Sequence, residues 1–203
     1  MVEDTVRSLG SYKDALTSLF LQDEDIVNII MPELDDDRFD VEENWLGGNY
    51  KYIDENKKVN YVELSGHCFD VPYVSDVVKN AYSYICMDTS IRRIENDSIK
   101  DVQLVITVFA NKPSVHMSKK EKAKYLAKGY SGNRIDMAVQ AIVNCVNRAN
   151  EKDSEWRKEF GIGRMRLTSS NAVIPLYPSS NSDFFGKTIT FVCPDFYIKS
   201  SKK

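Results

Sequence analysis

The chain has 203 residues, of which 42% are hydrophobic and 28% charged. That is the composition of one folded domain, not of a disordered segment. The formal net charge of −3 lacks the overall basic excess that marks a duplex-binding surface, although a local patch stays open.

The acidic, polar start "MVEDTVRSLG" has no signal-peptide character. No apolar run reaches the roughly 18 residues that mark a membrane-spanning helix. The first periodic segment is "SYKDALTSLFLQDEDIVNIIM", where Leu16, Leu19, Phe20, Ile26, Ile29 and Ile30 recur at helical spacing. Asp23–Asp25 divide it into two helices, with an acidic residue capping the second. Pro32 marks its end. Residues 32–61 are acidic and polar around a Gly47-Gly48 turn, and they read as a long irregular excursion.

"VNYVELSGHCFDVPYV" holds one or two short strands. Tyr82, Tyr84 and Cys86 then alternate with Ser83, Ile85 and Met87. The stretches Ile85–Ile94 and Val102–Phe109, joined by Asn96-Asp97-Ser98, form a hairpin pattern. In the second of these, Val102, Leu104, Ile106 and Val108 make one apolar face. Val105 and Phe109 make the opposite face apolar too. A strand with two apolar faces needs cover on both.

Two helices follow. Ser118 and Glu121 have capping-box spacing, and Gly129 ends the first helix. Asn133 caps the second, which carries Ile135, Val139, Ile142 and Val146 on one stripe beside Ala138 and Cys145. Beyond it, Pro175 confines "AVIPLYP" to an edge or a loop. Ile189, Phe191 and Cys193 alternate with Thr188, Thr190 and Val192 in a closing strand. The whole is a single domain over residues 1–203 with a frayed tail at 200–203. Its class is α+β, a mainly antiparallel sheet with helices packed on one face and long loop excursions.

The catalytic and ligand-binding patterns are weak. Cys68 follows His67 directly, and neighbouring strand residues point to opposite faces, so His67 is badly placed as a base for a Cys68 nucleophile. A buried small residue is the default reading of Cys68, and a Cys68 hydrolase is the third functional alternative. The four cysteines show no CxxC pair and read as reduced, buried thiols in a cytosolic setting. Asp23–Asp25 and Asp35–Asp37 lack the alternation and central glycine of a calcium loop. "GIGRMR" precedes a strand, the reverse of the strand-to-helix order of a phosphate-binding loop. The expectation is therefore no enzyme, no metal and no cofactor. The helix "SKKEKAKYLAK" is lysine-rich and defines an alternative of another class, a nucleic-acid-binding or interaction module using Lys119–Lys128.

The order of the strand "DVQLVITVFANKP", the helix "NRIDMAVQAIVNCVNR" and the strand "GKTITFVCPDFYIK", with the helix "YKDALTSLFLQDEDIVNII" before them, resembles the tail terminator (tail-completion) proteins of long-tailed bacteriophages. The likeness covers about residues 5–30 and 99–199. It implies a non-catalytic virion protein whose copies close a ring, usually a hexamer, on the head-proximal end of the tail. The implied partners are the chain itself, the tail tube protein and the head-closure or connector protein. Phage DNA passes through the lumen without sequence-specific binding, and no membrane is involved. A sibling reading is a head-closure ring of the same neck. Either would be a component of the virion assembled in the host cytoplasm. The candidate contact residues are Trp45, Tyr50, Val105, Phe109, Lys120, Lys124, Phe184 and Phe185.

Overall fold

The structure, a computed structural model, describes residues 2–30, 49–53, 59–63, 68–69, 83–95, 98–151, 164–168, 173–176 and 184–194. Helix α1 (Val2–Leu21) leads into α2 (Glu24–Ile30). The break falls at Asp23, whose carboxylate Oδ1 accepts the Ile26 backbone N–H at 3.1 Å and so caps α2. Helix α1 begins nine residues before the segment that the apolar repeat outlines. Val2, Val6 and Leu9 continue the same spacing through the polar start, and Leu9 packs against the core.

The stretch at 32–61 is not irregular throughout. Strands β1 (Asn49–Ile53) and β2 (Val59–Glu63) pair antiparallel from Asn49↔Glu63 to Ile53↔Val59. Strand β2 lies in the "VNYVE" stretch expected as strand, while the alternation in "YKYI" is the signal that the acidic composition around it hides. Residues 32–48, 54–58 and the 200–203 tail lie outside the described residues.

The main sheet is built on β4 (Ser83–Glu95) and β5 (Ser98–Asn111), an antiparallel hairpin running from Ser83↔Ala110 to Glu95↔Ser98. The short β3 (Cys68–Phe69) adds to β4 in parallel. On the other side, β5 pairs antiparallel with β8 (Phe184–Cys193). The outer edge of β8 is shared by β6 (Arg166–Leu167) and β7 (Val173–Leu176). Pro175 thus sits in an edge strand, where a missing N–H costs least. The order β3-β4-β5-β8-β6 makes β5 the central strand. Among the described residues one pairing is parallel and the rest are antiparallel, and the class is α+β.

The helices cover one face. Helix α5 (Arg134–Ala149) lays Ile135, Val139, Ile142 and Val146 on Val102, Leu104, Ile106 and Val108 of β5 and on Ile189 and Phe191 of β8. Tyr12, Leu16 and Phe20 of α1 and Ile26 and Ile29 of α2 join the same core. Each such side chain contributes about 1.5–3 kcal/mol on burial. Two shorter helices, α3 (Lys112–Val115) and α4 (Lys119–Ala127), fill the connection from β5 to α5. Helix α4 has the full capping box, with Ser118 accepting from Glu121 N–H and Glu121 accepting from Ser118 N–H. It ends at Gly129, whose φ of 89° only glycine adopts without strain. Helix α5 has a second capping box, from Asn133 and Asp136.

Candidate interaction surface

Residues paired directly across strands point to the same face. The register therefore assigns the second face of the sheet. Its rows are Tyr84–Phe109–Gly186, Cys86–Thr107–Thr188, Asp88–Val105–Thr190 and Ser90–Gln103–Val192. The face has two parts.

One end is aromatic. The rings of Tyr84 and Phe109 stack with centroids 4.9 Å apart, and Phe184 meets Tyr84 edge-on at 5.4 Å. Cys86 completes this second small cluster. The arrangement depends on Gly186. A Cβ there would meet the Phe109 ring at 2.9 Å and the Val108 carbonyl oxygen at 3.0 Å.

The other end is threonine-rich and half-buried. Thr107 and Thr188 share a hydroxyl–hydroxyl hydrogen bond of 3.0 Å across the strands. Gln103, Val105, Thr188, Thr190 and Val192 are all intermediate in exposure.

The hairpin also outruns its neighbour. Strand β8 pairs with β5 only from Val102 onward. Among the described residues, 93–95 and 98–101 pair only with each other, and Ile91 beside them is 41% exposed. An ion pair of 3.0 Å between Arg93 and Asp101 crosses this ribbon.

Of the candidate contact residues, Phe109, Phe184 and Val105 come together on the second face. Phe185 turns the other way and packs on the main core. Lys120 and Lys124 are exposed on α4. Tyr50 lies in β1, and Trp45 lies outside the described residues. Tyr84 and Gly186 are the members of the surface that sequence reasoning missed. The alternation in "AYSYICM" marks Tyr84, but only the register joins it to Phe109.

The acidic residues at the α1–α2 turn bind side-chain cations. Asp23 pairs with Arg148 of α5. Asp25 accepts from Lys128 Nζ at 2.5 Å and from Tyr130 Oη at 2.7 Å. Burial raises the Asp25 pKa, but the bonds from Lys128 and Tyr130 outweigh it and hold the carboxyl below its usual range. Burial and the Asp25 carboxylate push Tyr130 up to about 12. Asp23, Asp25, Lys128 and Arg148 rim an open pocket of about 530 Å³ with Leu19, Cys145 and Ala149 in its wall. Burial pushes the Cys145 thiol far up, away from the thiolate form that reacts. Among the described residues, no group of three His, Cys, Asp or Glu side chains is placed to hold a metal ion. Cys68 is 7% exposed on β3, and His67 lies outside the described residues.

Together these features define an α+β protein whose main sheet is covered by helices on one side, keeps a partly open face on the other, and extends at one end into an overhanging ribbon. A family model, YomW, matches residues 23–193, and the chain belongs to that family. The family is phage-derived and named after an open reading frame of a Bacillus phage, so this is a phage-associated protein. No curated protein matches the chain.

Proposed function

We propose that the chain is a structural protein of a tailed-phage virion, whose copies form a ring at the head-proximal end of the tail. There it ends growth of the tail tube and joins the tail to the head connector. This reading gives the protein no catalytic step. Its partners are other copies of the chain, the tube protein and the connector.

The observation that carries it is the overhanging β4–β5 ribbon beside a half-covered sheet face. A free strand edge is a template for pairing with another chain, and monomeric proteins protect it. In a head-to-tail ring each copy offers one surface and receives a different one, and the rotation closes without leaving either exposed. The ribbon and the face holding Val105 and Val192 are two such different surfaces on one copy. Membership of a phage-derived family and the order of strand, helix and strand in the second half agree with the reading.

The test is the composition of purified virions, with gold-labelled antibody to locate the chain. The expected result is a low-copy component labelled where the tail meets the head. Its absence from intact particles would sink the proposal.

A further inference from the structure

One exposed helix of this acidic chain lies in a segment with a local excess of positive charge. Residues 112–128 hold six basic side chains and one acidic one. That segment carries +5 while the whole chain carries −3, so the remainder carries −8. The structure shows how the single acid is withdrawn. Glu121 and Tyr125 lie one turn apart on the inner side of α4, where Tyr125 is fully buried. The Glu121 carboxylate accepts the Ser118 N–H and forms a 2.7 Å ion pair with the buried Arg134. Arg134 in turn donates to the Ser114 and Ile29 carbonyls at 2.7 and 2.8 Å, which fixes α4 to α2 and α3. Lys119, Lys120, Lys122 and Lys124 are all exposed, around an outer strip of Ala123, Leu126 and Ala127, with Leu126 50% exposed.

We infer that the outer face of α4 is a contact for the phosphate backbone of duplex DNA, made without reading sequence. The nine residues of α4 span about 13.5 Å. That length of duplex presents about eight phosphate charges. Lysine is a compact point charge on a flexible stem, which suits phosphates at variable positions. It is depleted from protein–protein interfaces, which favour aromatic residues, Met and Arg. Four lysines surround one large exposed apolar side chain, Leu126, so a polyanion backbone fits the face better than a folded partner does.

The inference goes beyond the ring reading and fails separately from it. The ring reading is judged by where the chain sits in the virion, and this one by binding of the full-length protein to DNA in solution. The experiment is fluorescence anisotropy with two labelled 24-base-pair duplexes of unrelated sequence. With four phosphate contacts, log K falls against log salt with a slope of about −3.6. Affinity then drops about a hundredfold between 50 and 200 mM salt, equally for both duplexes.

The combined Lys119→Gln, Lys120→Gln, Lys122→Gln and Lys124→Gln variant should remove that salt dependence while circular dichroism stays unchanged. The combined Lys119→Arg, Lys120→Arg, Lys122→Arg and Lys124→Arg variant should keep it. No binding at 50 mM salt overturns the inference, as does binding that the Gln variant leaves intact. Capture of labelled poly-glutamate with no capture of DNA also overturns it and gives the face to an acidic protein.

Discussion

Arg134 is 4% exposed and carries a full charge, so its cost of burial must be met by partners. It has the Glu121 carboxylate and two backbone carbonyls. Arg134→Met leaves a buried carboxylate and two carbonyls without that donor. Breaking a buried pair in this way costs about 3–5 kcal/mol, which in a chain of this size lowers Tm by about 10 °C. Thermal denaturation followed by circular dichroism measures it, and a shift under about 2 °C would contradict the assignment. Gly186 makes an equally local demand, because the Phe109 ring lies directly over it. Gly186→Ala should cost about 1–3 kcal/mol through overpacking. Adding Phe109→Leu should return part of that loss, since the two residues touch.

At the scale of elements, the clasp between α2 and the α4–α5 connection sets a pH window. The Asp25 pKa is lowered on folding. Its contribution is therefore present above the unfolded carboxyl pKa of about 3.9 and lost as pH falls through the lower folded value. The Tyr130 pKa is raised to about 12. Its contribution is present below the unfolded value of about 10 and lost as pH rises from there toward the folded value. Denaturant midpoints measured across pH should show both limbs. Asp25→Asn should flatten the acid limb, and Tyr130→Phe the alkaline one; an unchanged limb in either variant would refute the clasp.

Most elements were legible because periodicity and caps are local. The hairpin, the α5 stripe, the Ser118–Glu121 box, the Asp23 cap and the edge placement of Pro175 all lie within a few residues of their cause. Strand β2 lies in the stretch that reads as strand, but β1 and its pairing with β2 were missed because a five-residue strand in an acidic context gives little signal. The early start of α1 was missed because charges interrupt its apolar spacing. The aromatic cluster and the Arg134 ties join residues 13 to 105 positions apart in sequence, and no local pattern encodes such pairs.

For the molecule as a whole, the sheet divides its labour. Val102, Leu104, Ile106 and Val108 hold the chain together through α5. Val105, four rungs from the aromatic end, is half-buried on the other face and adds little to the core. Val105→Asp should therefore shift Tm by only a few degrees yet prevent the protein from rescuing a phage that lacks its gene. Rescue by that variant would remove the second face from the ring contact. The most direct measurement of the central proposal is electron microscopy of particles made by the deletion phage. The expected result is tails of unregulated length that fail to join filled heads; tails of normal length would contradict a terminator ring.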